Sequence, residues 1–266
     1  MKLKDRIWLW GQDAGTHHAY HNNEWKLPGV NRMDPAAGAG YFGIVNCCRV
    51  VMSGKPEPPF DAESEKLKGL KRLVWSVVGD GSTDRTYGGV TDIEEVLRQA
   101  QKFPNVCGGI LDDFFFDNAP PRLTVEQLKE VKERLGANKP RPLDLWIVLY
   151  DRQLGLDCNS YLDICDVITF WTWIGANLKN IDDNLGKLCL KTPGKRRMAG
   201  CYLWNYGESK PMTVEQTEYQ INKYHQWIKK GGLDGIIVVS NNLADIGLES
   251  SKWLKGWLSR TGDEET

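Results

Sequence analysis

The chain has 266 residues, which is the length of one (β/α)₈ barrel or of two smaller domains. Its hydrophobic content of 41% and charged content of 26% exclude an intrinsically disordered or fibrous protein. The 34 basic and 35 acidic side chains leave a formal charge of −1, so we expect no nucleic-acid partner and no membrane association. In agreement, no apolar run approaches the roughly 20 residues of a membrane span.

Short runs of apolar, β-branched and aromatic residues alternate with longer stretches of helical periodicity. The mean spacing of these runs, about 33 residues, is that of one strand-helix unit. Most of the runs are continuously apolar, which is typical of parallel strands covered on both faces. In chain order, the predicted strands are residues 7–11, 43–51, 73–79, 106–112, 143–150, 167–173, 198–204 and 235–240.

The segments between the strands contain helix-start signals. Capping boxes, with a hydroxyl residue followed three positions later by Glu or Gln, begin at Thr91, Thr124 and Thr213. An open nucleotide-binding sheet would favour Gly-x-Gly-x-x-Gly after its first strand, but residues 11–16 do not have this pattern. The sequence therefore predicts a single α/β domain over residues 1–266, folded as a closed (β/α)₈ TIM barrel.

The N-terminus and the cysteines both favour a reducing compartment. Residues 1–6 lack the apolar core of an export signal. The seven cysteines are an odd number, and no two of them have the Cys-x-x-Cys spacing of a zinc or redox site. We therefore expect a cytoplasmic protein with free thiols.

In a barrel of this kind, the loops after the C-terminal ends of the strands build the active site. Here these loops contain carboxylates, amides and aromatic rings. Aromatic faces stack on sugar rings, and amides and carboxylates bind hydroxyl groups, so the mixture favours a carbohydrate or glycoconjugate substrate. The segments concerned are residues 10–13, 53–55, 79–80, 112–113, 150–151, 171–173, 204–206 and 240–242.

The clearest candidate for catalysis is the pair Asp112 and Asp113 at the end of the fourth predicted strand. Adjacent carboxyls repel each other, so one can stay ionised while the other keeps its proton, as acid-assisted cleavage of a glycosidic bond requires. Successive side chains of a strand point to opposite faces, so both can serve one site only if the strand ends between them. The alternative is that Asp113 or Asp117 caps the following turn.

Four strand ends carry residues in a distinctive order, namely Asp112-Asp113 after the fourth strand, Trp171-Thr172 after the sixth, Trp204-Asn205-Tyr206 after the seventh and Asn241 after the eighth. This order, over residues 106–257, resembles glycoside hydrolase family 84, the O-GlcNAcase and bacterial β-N-acetylglucosaminidase family. The resemblance implies hydrolysis of β-linked N-acetylhexosaminides without a metal or organic cofactor. The oxygen of the substrate's own 2-acetamido group would attack the anomeric carbon.

The resemblance also implies roles for individual residues. Asp112 would orient and polarise the acetamido N–H, and Asp113 would protonate the leaving oxygen and later activate water. Where the family holds the distal sugar hydroxyls with an aspartate, this chain has Glu208 as the nearest carboxylate. The candidate substrate-binding residues, from the resemblance and from the strand ends together, are Trp10, Asp13, Lys55, Tyr150, Trp171, Thr172, Trp204, Asn205, Tyr206, Glu208 and Asn241.

Three other interpretations remain open. A conventional glycosidase would keep Asp113 as the acid and use Glu208 or Asp151 as nucleophile or base. A barrel that binds carbohydrate without cleaving it would have the same core.

The third interpretation depends on the segment that contains His17, His18 and His21. His17 and His21 are four residues apart and could share a metal ion if this segment is helical. With Asp113 as a further ligand, that arrangement would suggest a metal-dependent deacetylase of acetylated sugars. In polysaccharide deacetylases, however, the aspartate pair precedes the histidines, which is the reverse of the order here.

Overall fold

The structure, a computed structural model, describes residues 1–116 and 119–266. Eight parallel strands close into a barrel, which confirms the predicted (β/α)₈ fold. The barrel strands are β1 (Ile7–Gly11), β2 (Asn46–Arg49), β3 (Arg72–Val78), β4 (Val106–Leu111), β5 (Asp144–Tyr150), β6 (Val167–Trp171), β7 (Arg196–Tyr202) and β10 (Gly235–Val239). Two short strands, β8 (Trp204–Asn205) and β9 (Lys210–Pro211), form an antiparallel pair after β7.

Each barrel strand pairs with the barrel strands that come before and after it in the chain, and β10 pairs with β1 to close the barrel. At this junction Ile7 lies opposite Ile236, while on its other side β1 places Leu9 opposite Cys47. The predicted strands were too long at several ends. The fourth ends at Leu111, and the seventh divides at Leu203 into β7 and β8, because the polar strand ends turn into the loops.

The α-helices are α1 (Thr16–Ala19), α2 (Pro35–Phe42), α3 (Asp61–Leu67), α4 (Ile93–Lys102), α5 (Val125–Gly136), α6 (Asn159–Leu162), α7 (Ile181–Lys191), α8 (Val214–Lys229) and α9 (Glu249–Thr261). Single turns of 3₁₀ helix cover Leu3–Arg6, Tyr20–Asn22, Asp84–Thr86, Asp151–Gln153, Tyr206–Glu208 and Asn241–Leu243, and a longer one covers Gly175–Asn180. Among the described residues, no helix has the length and apolar character needed to cross a membrane.

Two of the three predicted capping boxes are confirmed. Thr124 and Thr213 each accept a hydrogen bond from the backbone three residues ahead, and the glutamine at that position binds back. The prediction at Thr91 was wrong, since α4 begins after Asp92 without a side-chain cap. The Asp92 carboxylate instead pairs with Arg85 at 2.7 Å, which removes it from the helix start.

Tryptophan rings fill the barrel interior in two layers. Trp8 and Trp146 meet edge to face with 4.9 Å between ring centroids, and nearer the C-terminal ends Trp10 and Trp171 meet in the same way at 5.0 Å. Gly200 lies against the Trp171 ring, where a Cβ atom would overlap it. The layer of Trp10 and Trp171 therefore forms the bottom of the space that the loops surround. All seven cysteines are free thiols.

Candidate active site

The C-terminal ends of the barrel strands surround a cavity of about 560 Å³. This is the end of the barrel at which the sequence placed the site. The candidate residues that line the cavity are Trp10, Asp112, Asp113, Tyr150, Trp171 and Tyr206.

Both aspartates face the cavity because the strand ends before them. β4 ends at Leu111, so the alternation of side chains along the strand no longer applies to Asp112 and Asp113. Asp113 has a left-handed backbone with φ of 38°, a conformation that aspartate adopts more readily than most other residues. Its N–H donates to Oδ1 of Asp112 over 2.9 Å. The turn thus places the second carboxyl beside the first.

Asp113 is held from two neighbouring strands. The Tyr150 hydroxyl, at the end of β5, donates to Oδ1 over 2.8 Å, and the N–H of Gly81, in the loop after β3, donates to Oδ2 over 2.9 Å. Residues 114–116 donate no hydrogen bond to this carboxyl, so it caps no amide in that part of the turn. Asp117, the other candidate cap, lies outside the described residues.

Asp112 is only 5% exposed and has an unusual electrostatic environment. Burial raises the pKa of its carboxyl well above the ordinary value, and the negative charges of Asp113 and Asp80 raise it further. The hydrogen bond from the Asp113 amide and the nearby Arg122 guanidinium act in the opposite direction, but they are the smaller effects. The Asp112 carboxyl therefore keeps its proton to a higher pH than an isolated aspartate does.

Asp80 is a third carboxyl in the cavity and was not among the candidate site residues, although its strand end was identified. Ser82 donates to both of its oxygens, at 2.9 and 2.7 Å, and Thr83 donates to Oδ1 at 2.7 Å. The backbone N–H of Ser53 adds a bond of 3.2 Å. Burial raises the pKa of Asp80, and the hydroxyl hydrogen bonds oppose that shift. The loop therefore fixes this carboxyl in place.

Arg122 supports the Asp80 loop from behind. Its guanidinium donates to the backbone oxygens of Gly79, at 3.4 Å, and Asp80, at 3.3 Å, and to the Thr86 hydroxyl at 2.9 Å. It lies 3.9 Å from the centre of the Tyr87 ring. This buried cation was not identified from the sequence, because it comes from the loop after β4 and acts on the loop after β3.

The other walls of the cavity are aromatic. Trp173 stacks on Tyr206 with 5.4 Å between ring centroids, and Trp25 meets Tyr206 edge to face at 4.9 Å. Tyr20 stacks on Trp25 at 4.3 Å, and Tyr202 packs against Trp173 at 5.7 Å. The sequence placed Trp173 at the rim but did not indicate that Tyr20, Trp25 and Tyr202 also line the cavity. Strand-end position alone does not indicate which loop residues fold back over the cavity.

The histidine segment does not have the geometry of a metal site. His17 is buried, its Nδ1 is hydrogen-bonded to the Tyr206 hydroxyl at 2.8 Å, and its Nε2 lies against the Gln12 side chain. Burial lowers the pKa of His17 to about 3, so the imidazole is neutral. His21 is exposed, because α1 ends at Ala19 and His21 itself has a φ of 44°. Among the described residues, no group of three His, Cys, Asp or Glu side chains could hold a metal ion.

Two charged candidates lie outside the cavity. Residues 53 and 54 both have positive φ and form a tight turn that directs Lys55 into solvent, where it pairs with Glu57 at 2.6 Å. Glu208 pairs with Lys210 at 3.2 Å and accepts from the amide of Asn205. Neither Lys55 nor Glu208 therefore lines the cavity in which a sugar was expected to meet them.

Asn205, Asn241 and Thr172 are buried but hold the protein together instead of facing the cavity. Asn241 accepts from the N–H of Gln12 at 2.9 Å and donates to its carbonyl oxygen at 2.8 Å. Asn205 accepts from the N–H of Gly175 at 3.1 Å. Thr172 lies beside the Tyr224 hydroxyl, on the helix side of the barrel. The side-chain amides of Asn205 and Asn241 join loops to one another, and the Thr172 hydroxyl joins the barrel to a helix.

The remaining candidates also have structural partners. Trp204 donates from its indole N–H to the carbonyl oxygen of Trp25 at 3.1 Å, which holds the β1 loop over the cavity. Asp13 pairs with Arg49, a fully buried guanidinium. Asp151, proposed as an alternative nucleophile, accepts from Asn177 at 3.3 Å and does not line the cavity. These contacts leave the Asp112–Asp113 pair as the central polar feature of the site.

Comparison with known proteins shows the class of fold. No family model matches the chain, and no curated protein matches it. Among solved structures, a candidate α-L-fucosidase from Bacteroides thetaiotaomicron matches with a TM-score of 0.58 and 10% identity, over 87% of this chain and 88% of the other. A GH113 β-1,4-mannanase matches with a TM-score of 0.54 and 11% identity, over 97% and 99%.

A β-glucuronidase from Ruminococcus gnavus matches over 88% of this chain with a TM-score of 0.51 and 10% identity. The matched region is 43% of that enzyme, so this chain corresponds to less than half of it. At such low identity, these three likenesses show the (β/α)₈ fold and do not assign a family.

Proposed function

We propose that the protein is a glycoside hydrolase that acts on β-linked N-acetylhexosaminides through Asp112 and Asp113. The observation that carries the proposal is that two adjacent carboxyls face one cavity with aromatic walls, with Tyr150 bound to the second. The similar structures named as glycosidases support the general class. The acetamido specificity and the division of roles come from the resemblance to glycoside hydrolase family 84.

The hydrogen bonds of the pair indicate where its proton can lie. The Gly81 N–H can only donate to Oδ2 of Asp113, whereas the Tyr150 hydroxyl, which donates to Oδ1, can rotate and accept instead, so Oδ1 is the oxygen that can carry a proton. Likewise, Oδ1 of Asp112 accepts from the Asp113 N–H, which leaves its Oδ2 for a ligand. An acetamido N–H bound there would stabilise ionised Asp112 and leave the shared proton on Asp113.

In the proposed first step, the acetamido oxygen attacks the anomeric carbon as the glycosidic C–O bond breaks. Asp113 gives its proton to the departing oxygen, and the sugar becomes a cyclic oxazolinium ion. In the second step, Asp113 takes a proton from water as that water attacks the anomeric carbon, which restores the acetamido group. Tyr150 keeps Asp113 oriented through both steps.

The positions of the other carboxyls support this use of the substrate's own oxygen. Asp151 and Glu208, the conventional alternatives, do not line the cavity. Two further carboxyls line it: Glu24 lies at the mouth with its side chain 57% exposed, and both oxygens of Asp80 already accept hydrogen bonds from its own loop. A conventional retaining enzyme needs a carboxylate that is free to attack the sugar.

The test is hydrolysis of aryl β-N-acetylglucosaminides by the wild type and by Asp112→Asn and Asp113→Asn. We expect both substitutions to lower kcat by about 10²–10⁴, the usual contribution of general acid-base catalysis. The loss in Asp113→Asn is expected to be larger for poorer leaving groups, because these need the proton most. Asp151→Asn, outside the cavity, is the matched control and is expected to keep wild-type rates.

Other outcomes contradict particular parts of the proposal. Equal turnover of aryl glucosides that lack the acetamido group, or no inhibition by a thiazoline mimic of the cyclised sugar, would overturn the substrate-assisted mechanism. Unchanged rates in Asp113→Asn would remove this residue as the acid. Binding of N-acetylglucosaminides without any hydrolysis by the wild type would make the protein a carbohydrate-binding barrel.

A further inference from the structure

We infer that the cavity selects its sugar by charge. It admits an uncharged or amine-bearing sugar and rejects one that carries a carboxylate, sulfate or phosphate. This inference rests on the proposed function only in taking the ligand to be a sugar, and it concerns binding instead of cleavage.

Acidic groups enter the cavity from several sides of the barrel. Glu24 lies on the loop after β1, Asp80 follows β3, and the Asp112–Asp113 pair follows β4. Among the described residues that line the cavity, the one lysine or arginine is Arg152, after β5, whose guanidinium lies 4.5 Å from the centre of the Tyr150 ring. His17 adds no charge, because burial lowers its pKa to about 3.

The hydrogen bonds that hold two of these acids do not neutralise them. Asp80 is bound by hydroxyl groups and a backbone N–H, and Asp113 by the Tyr150 hydroxyl and the Gly81 N–H. The buried Arg122 donates to backbone oxygens and to the Thr86 hydroxyl, and its charge is the smallest of the effects on the Asp112 carboxyl. The carboxyls that line the described part of the cavity outnumber Arg152, so an anionic ligand would meet an excess of negative charge, which water screens poorly at the buried Asp80 and Asp112.

The aromatic walls act in the same direction. Trp10, Trp171 and Trp173 line the cavity, and the face of an aromatic ring carries negative quadrupole potential, which attracts cations and disfavours anions. An ammonium group on a sugar ring would thus be stabilised both by the carboxylates and by the rings. Hydroxyl and acetamido groups carry no net charge and are accepted without this penalty.

The comparison with the Ruminococcus gnavus β-glucuronidase provides the probe, because that enzyme has been solved with uronic deoxynojirimycin bound. We would measure the affinity of the wild-type protein for 2-acetamido-1,2-dideoxynojirimycin, called here the amine ligand, and for its uronic counterpart, called the uronic ligand. The two differ only at C6, which is a hydroxymethyl group in the amine ligand and a carboxylate in the uronic ligand. Neither ligand is cleaved, and four tryptophans at the cavity provide a fluorescence signal.

The expected result is that the uronic ligand binds at least about thirty-fold more weakly at low ionic strength, with a smaller difference in 0.5 M salt. Equal affinity, or tighter binding of the uronic ligand, would overturn the inference.

A variant localises the effect without touching the catalytic pair. Glu24→Gln removes one charge at the cavity mouth, where the side chain is 57% exposed. We expect it to weaken binding of the amine ligand about three-fold and to tighten binding of the uronic ligand. Glu65→Gln is the control, because Glu65 lies on α3, pairs with Lys68 and does not line the cavity. Identical shifts in both variants would contradict a local charge effect.

The two proposals fail in different ways. Charge selection without any hydrolysis of aryl N-acetylglucosaminides would leave this inference standing and overturn the proposed function. Hydrolysis of aryl N-acetylglucosaminides together with equal affinity for the amine and uronic ligands would support the proposed function and overturn the charge inference. Absence of binding by both ligands to the folded wild type would overturn both proposals.

Discussion

Asp112 and Asp113 are chemically identical residues that the backbone places in different surroundings. Asp112 is deeply buried beside two other acids, whereas Asp113, one residue later in a left-handed turn, is held by donors from two strands. Their adjacency could be seen in the sequence, which predicted that their protonation would differ, and burial with neighbouring negative charge raises the pKa of Asp112. Which oxygen can hold a proton depends on Gly81 and Tyr150, which lie more than thirty residues away on either side.

His17 gives a prediction of pH dependence at the same scale. Burial lowers its pKa to about 3 in the folded protein, against about 6.5 when unfolded. The unfolded chain therefore binds a proton that the folded protein excludes, and stability falls as pH decreases below 6.5. At pH 5 the loss is about 2 kcal/mol relative to pH 8, since each pKa unit corresponds to 1.36 kcal/mol.

The measurement is the free energy of unfolding in urea at pH 8 and pH 5. His17→Gln is expected to lose about 2 kcal/mol less than the wild type between these pH values, whatever its absolute stability. His21→Gln, at an exposed site, is the control and is expected to retain the wild-type difference. If His17→Gln and the wild type lose the same stability, His17 is not the group responsible.

At the scale of elements, the loops after the strands decide which polar residues reach the cavity. The turn at residues 53–54 directs Lys55 outwards, and the 3₁₀ turn at Asn241–Leu243 directs Asn241 towards the β1 loop. Each residue was a reasonable candidate from its position after a strand. The sequence predicts where a strand ends, but the path of the loop depends on backbone dihedrals and on partners from other loops.

This difference between the two residues can be measured. Asn241→Ala leaves the Gln12 N–H and carbonyl without partners, so we expect it to lower the free energy of unfolding by about 2–3 kcal/mol. Lys55→Ala is expected to change stability by less than about 0.5 kcal/mol and to leave KM for the aryl N-acetylglucosaminide unchanged. A ten-fold increase in KM for Lys55→Ala would instead support the prediction that Lys55 contacts a sugar hydroxyl.

At the scale of the whole molecule, closure of the barrel depends on the contact between its first and last strands. Gly235 begins β10 against the carbonyl oxygen of Arg6, and a Cβ atom at this position would overlap that oxygen. The next residue, Ile236, pairs with Ile7. The two strands are separated by more than two hundred residues, so this contact forms only when the complete barrel assembles.

We therefore expect Gly235→Ala to destabilise the protein by about 2–4 kcal/mol, because the backbone at the junction must separate. Gly186→Ala is the matched control. Gly186 lies inside α7 with open space around the site of a new Cβ, and alanine favours a helix by about 0.5–1 kcal/mol over glycine. Urea unfolding of the two variants tests this, and similar free energies of unfolding would contradict the proposed tight contact.

The sequence by itself determined the alternation of strands and helices, the (β/α)₈ fold, two helix caps and the end of the barrel at which the cavity opens. These features follow from local periodicity and from short-range hydrogen bonding, which neighbouring residues express directly. Only the tertiary structure decided that Asp80, Trp25 and Tyr202 line the cavity, while Thr172, Asn205 and Asn241 hold the barrel together. Those outcomes depend on contacts between elements that are distant in the chain, and no local sequence pattern specifies them.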